Sequence, residues 1–303
     1  AVPSAPATVP REPPMRPRIA LATCVAFPAL CDDDRALLPA LAACGLEAEV
    51  RDWRAPVDWA RYDAVLLRST WDYFERPAEF LAWIAALERT GVRCFNEPAL
   101  VRWNADKRYL RELAAKGVAT VPTLWFEAGP GVTSTAVADR VAAEGWDDVV
   151  LKPAVSGGAW RTHRMRRAEL SGAGAVLDEI LRASALLVQP FLPEVVADGE
   201  HSLLFFDGAF SHAALKRAKP GDYRVQWTHG GTQVPETVPD ALVTQARAVL
   251  DAAPSPGLYA RVDGIVRDGR FVLMELEQIE PYLFFAQAPE APGRLARALT
   301  ARL

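Results

Sequence analysis

Apolar and polar positions alternate in two rhythms along the first hundred residues. RIALATCVAF (18–27), LEAEVRDW (46–53), YDAVLLRST (62–70) and VRCFN (92–96) are short apolar runs that read as buried strands. DDDRALLPALAACG and PAEFLAWIAALERTG lie between them with helical spacing, the first opening on an Asp cluster and closing on Gly45. Strands alternating with helices predict a parallel sheet wrapped by helices, and ligands of such sheets sit beyond the strand C-termini. Arg68, Ser69, Thr70, Trp71 and Asp72 are therefore expected at the edge of a site.

Further on, Asn104 is expected to cap a helix, ADKRYLRELAAKG, whose apolar stripe is Tyr109, Leu110, Leu113 and Ala114 and which closes on Gly117. Residues 120–188 carry strand–turn–strand signals and one helix, as a small α/β lobe would. Residues 189–303 read mainly as strands, with helices at 240–252 and 290–303. HSLLFFDGAFSHAALKR (201–217) predicts a hairpin turning at Asp207–Gly208.

The densest chemistry lies in FVLMELEQIEP (271–281). Period-2 alternation puts Phe271, Leu273, Glu275, Glu277 and Ile279 on one face. Carboxylates side by side among apolar neighbours resist ionisation unless a cation sits between them. The preceding strand, LYARVDGIV (258–266), offers Asp263. A two-residue loop at Asp268–Gly269 would set Asp263 opposite Met274, on the wrong face. A three-residue loop or a bulge would set Asp263 opposite Glu275 and Arg261 opposite Glu277, because one slip flips every side chain. The longer loop or a bulge is expected, since only that gathers three carboxylates, hard oxygen ligands that suit Mg²⁺.

Cations are spread upstream. Lys152 ends the apolar strand of DDVVLKPAVSGGAW, ahead of Ser156, Gly157 and Gly158, where backbone N–H groups can approach a phosphate closely. The segment matches neither GxxxxGK[ST] nor GxGxxG. Lys107, taken alone, is an ordinary helix lysine. LLVQPFLPE (186–194) is an apolar strand running into a proline-bounded turn, suited to an adenine edge or equally to a plain interdomain strand. Lys216 lies on the second strand of its hairpin. GDYRVQWTHGG (221–231) places Arg224 on a loop with a Gly230–Gly231 bend, the form of a mobile phosphate clamp, and Gly230 and Gly231 are expected beside the substrate.

Order and spacing turn these weak signals into a pattern. From about Arg18 to Leu303 the chain resembles the ATP-grasp superfamily, in its glutathione synthetase-like branch, an α/β fold with an N-terminal parallel-sheet (pre-ATP-grasp) domain. The resemblance implies a substrate domain at 17–103 and an ATP-grasp domain at 104–303, with the lobe at 120–188 as a lid. VLLRSTWDY is similar to the segment ending in a substrate-binding arginine, here Arg68. FNEPALVRWNADKRYLRELAAKGVATVPT and VVLKPAVSGGAW resemble the stretches holding two nucleotide-contacting lysines, Lys107 and Lys152, and the glycine loop. LLVQPFLPEVVADGE resembles the adenine hinge, implying Gln189, Pro190, Phe191 and Leu192 at the base and Glu200 at the ribose. Arg224 matches the γ-phosphate arginine, and ARVDGIV with VLMELEQIEP resembles the closing metal strands, implying Mg²⁺ on Asp263, Glu275 and Glu277. The family usually ends Glu-x-Asn, and the added charge of Glu277 calls for balance by Arg261 or Lys216. RSTWDY, DGAFSHAALK and ELEQIEPYLFF look most like the group that contains the cycloserine-forming ligase of antibiotic pathways.

What the resemblance implies is an ATP- and Mg²⁺-dependent ligase. A substrate carboxylate would be phosphorylated and an amine would then displace phosphate, with Lys107, Lys152, Lys216, Arg224 and Arg261 around the developing charge. Two other readings share the residues: a small-molecule kinase, and a non-catalytic nucleotide-binding regulator whose metal acids would be expected to decay. Homodimers are common among such folds, but no long exposed apolar stripe marks an interface.

Composition excludes rather than adds. A net charge of −4 and no basic stretch alternating with aromatics give no footing for nucleic acid. No apolar run approaches a membrane span of about 18 residues, and the reading is a cytoplasmic protein acting on small-molecule carboxylate and amine substrates. The four cysteines form no CxxC pair and read as reduced thiols. The four histidines show no zinc spacing. Residues 1–16, rich in Pro and Ala and without an apolar h-region, read as a disordered tail rather than a signal peptide.

Overall fold

A computed structural model describes residues 16–129 and 131–303; the expected tail, up to residue 15, lies outside the described residues. Strands β1 (Arg18–Thr23), β2 (Glu47–Asp52), β3 (Ala64–Leu67) and β4 (Arg93–Phe95) pair in parallel in the order β2-β1-β3-β4. Their centre is apolar on both faces, with β3 wholly buried, as crossover helices on either side require. The helix Pro77–Thr90 covers one side with Phe80, Ile84 and Leu87 and ends on Gly91, whose φ of 75° supplies the left-handed closure. A short 3-10 turn, Asp34–Ala36, and the helix Leu37–Ala43 occupy the DDDRALLPALAACG stretch.

The second sheet is antiparallel, built of β5 (Leu124–Phe126), β6 (Asp148–Pro153), β7 (His163–Arg166) and β8 (Leu186–Pro190) in the order β5-β8-β6-β7. Two helices back it, Ser134–Ala143 and Gly174–Leu181, where the sequence predicted one. Val137 and Val141 of the first are buried with Leu177 and Ile180 of the second, so both carry a genuine apolar stripe.

The third sheet, also antiparallel, runs β11-β10-β9-β12-β13, from β9 (Glu200–Phe206), β10 (Ala209–Arg217), β11 (Thr232–Glu236), β12 (Tyr259–Arg267) and β13 (Arg270–Glu277). The β9–β10 hairpin turns at Asp207–Gly208 as expected, both residues at positive φ. The helix Asp240–Ala252 lies on one face, and the last helix, Ala291–Arg302, buries Leu295 and Leu299 in one core with Leu37 and Leu41. All four cysteines are free.

Asn104 does not cap the helix that follows it. It ends the helix Pro98–Asn104, and its side-chain amide donates to the Leu276 carbonyl at 2.8 Å and accepts from the Gln278 N–H at 2.7 Å. An amide with a donor and an acceptor satisfies a carbonyl and an N–H on the same edge of this backbone at once, which outweighs capping. The next helix starts at Tyr109.

The register question in the last hairpin resolves through a bulge. Arg267 pairs with Arg270 across the two-residue Asp268–Gly269 turn, and the register shifts between Asp263 and Gly264. Gly264 then faces Leu273 and Asp263 faces Glu275, leaving Met274 as the extra residue. Glycine is required there: a Cβ at Gly264 would lie 2.4 Å from the Val272 carbonyl oxygen and 2.5 Å from the Phe271 ring. The bulge also corrects the expected alternation. Phe271 and Leu273 pack with Leu276 in the core under the helix Asp240–Ala252, while Met274, Glu275 and Glu277 line a cavity on the other side.

Candidate active site

That cavity, of about 820 Å³, lies between the second and third sheets, a size that accommodates a nucleotide with a small second ligand. Lys107, Lys152, Ser156, Gly157, Gly158, Gln189, Pro190, Phe191, Leu192, Glu200, Lys216, Arg224, Arg261, Asp263, Glu275 and Glu277 all contribute to its wall. Residues 170 positions apart in sequence thus meet on one surface.

The charges on its floor are interlocked. Lys216 Nζ donates to Glu200 at 2.5 Å and to Asp263 at 3.0 Å. Arg261 donates through Nε to both Asp263 oxygens at 3.0 Å, through Nη1 to the Tyr282 carbonyl, and through Nη2 to Glu277. Asp263 also accepts from Ser202 Oγ at 2.6 Å. Burial alone would raise the Asp263 pKa; Arg261 and Lys216 overcome it and hold it down near 2. Glu277 shows the opposite balance: burial dominates Arg261 and pushes it up to about 7. Lys107 donates to the Ser156 carbonyl at 2.5 Å and pairs with Glu275 at 2.9 Å. Lys152 has no ion-pair partner among the described residues, and burial lowers its pKa; an anion beside it would reverse that shift.

The three acids expected to form one ligand set share a wall but do not converge. Among the described residues, no group of three or more His, Cys, Asp or Glu side chains is placed to hold a metal ion. Asp263 is drawn back by Arg261 and Lys216, which leaves Glu275 and Glu277 facing the cavity with 29% and 26% of their side chains exposed. Glu200, expected at a ribose, is held by Lys216.

The mouth is formed by loops. Arg224 is one-third exposed and folds onto Asp222 through Nε at 3.1 Å and Nη2 at 2.9 Å. Gln226, Trp227, Thr228 and His229 line the cavity, but Gly230 and Gly231 do not. Gly231 instead passes so close to Val225 that a Cβ would lie 2.2 Å from its carbonyl oxygen, so this pair shapes the loop rather than touching a ligand. Gly157 meets Phe74 across the cavity, with a notional Cβ 3.0 Å from that ring. Phe74 in turn packs against Trp160 at 5.6 Å.

Of the five residues expected at the strand edge, only Trp71 reaches the cavity. Arg68 is fully buried behind it. Its guanidinium donates to Asp34 Oδ1 at 3.0 and 2.8 Å and to the Pro281 carbonyl at 2.6 Å, so every face is spoken for. Ser69 donates to Asp34 at 2.8 Å, Thr70 is buried, and Asp72 accepts from Trp53 Nε1 at 2.7 Å. The strand ends correctly at the site, but its polar residues serve the joint beneath.

That joint holds an irregular segment following β13. Successive carbonyls from Gln278 to Leu283 each accept from a distant side chain: Asn96 at 2.7 Å, Tyr259 at 2.8 Å, Trp71 at 2.9 Å, Arg68 at 2.6 Å, Arg261 at 3.0 Å and His212 at 2.8 Å. Backbone without a ladder partner must find donors elsewhere once buried. No sequence rule finds such donors, because they come from four separate regions of the chain. The segment delivers Glu280, Tyr282 and Phe284 to the cavity, which Phe27, Tyr73, Tyr223 and Trp160 line from other parts of the chain; the motifs that contain most of them assigned none of them a role.

His212 gives this joint a measurable pH dependence. Burial holds its pKa down near 4 against an ordinary 6.5. The unfolded chain therefore takes up the proton first, so stability is full above pH 6.5, falls as pH drops to about 4, and levels off below; the loss attributable to this group is up to about 3 kcal/mol. His212→Gln should flatten that part of the stability–pH curve measured by urea unfolding. An unchanged curve would show that His212 is not buried neutral.

Comparison with known proteins agrees with the fold. Residues 19–96 match the family model described as D-cycloserine synthetase DcsG, N-terminal domain. Over 281 residues the chain is 35% identical to the cycloserine biosynthesis protein DcsG of Streptomyces lavendulae, covering 88% of this chain and 93% of that one. The crystal structure of D-cycloserine synthetase DcsG superposes with a TM-score of 0.85 and 32% identity, over 94% of this chain and 99% of that chain. A D-alanine–D-alanine ligase from Bacillus anthracis shares the fold at a TM-score of 0.68 and 17% identity, over 94% and 96% of the two chains. A parallel sheet joined to two antiparallel sheets around a cation-rich cavity is here the architecture of an ATP-dependent, ADP-forming ligase. Within the ATP-grasp ligases, the chain belongs to the D-cycloserine synthetase family.

Proposed function

We propose that this ligase closes an amino-oxy amino acid on its own carboxylate, a cycloserine-type cyclisation. The observation that carries the reading is the 35% identity to a cycloserine biosynthesis protein across nearly the whole of both chains. In this reading residues 17–103 form the substrate domain, 104–303 the ATP-binding domain and 120–188 a lid whose glycine loop closes over the phosphates.

The residues divide the work as follows. Gln189, Pro190, Phe191 and Leu192 hold the adenine, and Glu200, on releasing Lys216, the ribose. Lys107 and Lys152 reach the phosphates, and Arg224 swings from Asp222 to the γ-phosphate. A substrate carboxylate oxygen bonds to the γ-phosphorus as the bond to ADP breaks. The amino-oxy nitrogen then attacks the acyl carbon, phosphate leaves, and the nitrogen loses a proton. Positioning and charge neutralisation carry such a step. A bound Mg²⁺ would neutralise phosphate charge here. The donors fit it: Glu275 and Glu277 are hard oxygen ligands side by side on one wall, and Mg²⁺ takes one or two carboxylates with water and phosphate oxygens rather than a full protein cage.

The test is release of ADP and free phosphate in the presence of amino-oxy acids and amino acids, singly and in pairs. Turnover with a single amino-oxy acid and formation of its cyclic amide is the expected result. A strict need for two substrates would replace cyclisation by intermolecular ligation, and a phosphorylated product would make the enzyme a kinase.

A further inference from the structure

The half-buried and buried carboxylates on the cavity wall have cations: Glu200 has Lys216, Asp263 has Lys216 and Arg261, Glu275 has Lys107, and Glu277 has Arg261. Glu280 is the exception. It is only 7% exposed, yet among the described residues the one hydrogen-bond donor to its carboxylate is its own backbone amide. A carboxylate taken out of water without a cation is costly. Its position is nonetheless enforced, since the carbonyls of Gln278 to Leu283 are each tied to a side chain from elsewhere in the fold. A fold that fixes an unpaired carboxylate so firmly keeps it for something that enters the cavity.

Its surroundings say what that is. Trp71, which donates to the Glu280 carbonyl, has its ring 6.0 Å from Tyr282 at an interplanar angle of 30°. Phe27 packs edge-on to Trp71 at 4.9 Å. All three line the cavity with Glu280. Aromatic rings and a carboxylate that line one cavity both attract a compact organic cation. Arg261 and Arg68 lie close enough to act on Glu280 but are taken up by Asp263, Glu277 and Asp34, so burial and the nearby Glu277 push its pKa up to about 8, a shift that a bound cation would reverse.

We propose that Glu280 is the specificity-determining residue that anchors the α-ammonium of the amino-acid substrate, with Trp71 and Tyr282 beside it. This rests on the cyclisation reading and names the substrate class more narrowly: an amino acid with a free ammonium that takes no part in bond making. The attacking amino-oxy nitrogen is weakly basic and enters neutral, so it needs no carboxylate to deprotonate it beforehand. The ammonium is the substrate's only cation and the one group that calls for a counter-charge. With the ammonium pinned at Glu280, the substrate carboxylate is left free to meet the γ-phosphate.

The experiment compares amino-oxy serine with 3-(aminooxy)propanoic acid, the same molecule without its α-amino group, in the wild-type enzyme and in Glu280→Gln. Wild type should prefer amino-oxy serine in kcat/KM by about 10- to 100-fold, as expected for loss of one hydrogen-bonded charge contact. Glu280→Gln should lose that preference, through KM for the amino acid, with KM for ATP unchanged. A variant that keeps the preference, or that loses kcat equally on both compounds, overturns the anchor. If wild type turns over neither compound, the cyclisation reading fails, and calorimetric binding of D- and L-serine against 3-hydroxypropanoate decides the anchor separately. Serine binding that is selective in wild type and lost in Glu280→Gln upholds it; equal binding of serine and hydroxypropanoate overturns it. Trp71→Phe, which keeps a ring and removes the bond to the Glu280 carbonyl, should raise KM for amino-oxy serine with less effect on the des-amino compound.

Discussion

Arg68→Ala is expected to destabilise the protein by about 3–5 kcal/mol, the cost of leaving one partner of a buried ion pair alone. At this chain length that is a fall in melting temperature on the order of 10 °C. Three losses coincide. Asp34, itself 1% exposed, keeps only the Ser69 hydroxyl as a side-chain donor. The Pro281 carbonyl loses its donor. Tyr259 loses the guanidinium that lies 5.0 Å from its ring centre. Arg68→Lys should recover little, since an ammonium does not reproduce a fork that reaches Asp34 and Pro281 together. Arg68→Met with Asp34→Asn should recover more than either single change, because the stranded charge is gone. The alternative expectation, a substrate-binding arginine, makes the opposite forecast: an unaltered melting curve and a raised KM. Urea unfolding of the single and double variants, beside steady-state kinetics of Arg68→Ala, separates the two.

Arg68 also shows how far the sequence could be read. Its position was legible: an apolar strand ends, and polar residues follow at a sheet's C-terminal edge, where α/β sites lie. Its role was not, because the partner that consumes it, Asp34, sits on another element, and the carbonyl it caps lies 213 positions away. The wall proposed to bind ATP was legible for a related reason. Lys107, Lys152, the Ser156–Gly158 loop, the 189–192 segment and the 263–277 acids are local motifs read in order along the chain, and all of them line one cavity.

Local backbone departures were legible only when something forced them. The bulge at Met274 could be foreseen because an unbulged two-residue hairpin would have separated Asp263 from Glu275. Its further effect, flipping Phe271 and Leu273 to the opposite face, needed the bulge's position as well as its existence. The Asn104 amide was read as a cap because Asn before a helical pattern usually is one; bonding to β13 is a tertiary preference that outbids it. The aromatic end of the cavity was least visible. Trp71 was expected at the site edge and Tyr73 follows two positions later, but Phe27 and Tyr282 come from distant segments with no shared spacing, so only the fold assembles the four.

The largest effect on turnover is expected at Glu275. Glu275→Gln keeps the volume and removes the charge, and should lower kcat by at least about 100-fold, the scale for losing one charge contact made at the transition state. Stability should change little, because the side chain is 29% exposed to the cavity and its loss frees Lys107 to bond more fully to the Ser156 carbonyl. Glu277 forms the control. Arg261 already takes part of its charge and burial raises its pKa to about 7, so it contributes less full negative charge at neutral pH than Glu275, which Lys107 and Lys152 hold below the usual carboxylate range despite its burial. Glu277→Asn, which restores the Glu-x-Asn ending usual among ATP-grasp enzymes, should therefore stay within about 10-fold of wild type. ADP formation at saturating ATP, measured across a Mg²⁺ titration, checks both. The Glu275 variant should need more Mg²⁺ and still fall short in kcat, while the Glu277 variant should approach wild-type turnover as Mg²⁺ rises. Equal losses at the two positions would mean that both glutamates carry full charge at the reacting phosphate and that Arg261 does not shield one of them. Near-wild-type turnover in Glu275→Gln would remove it from the catalytic wall.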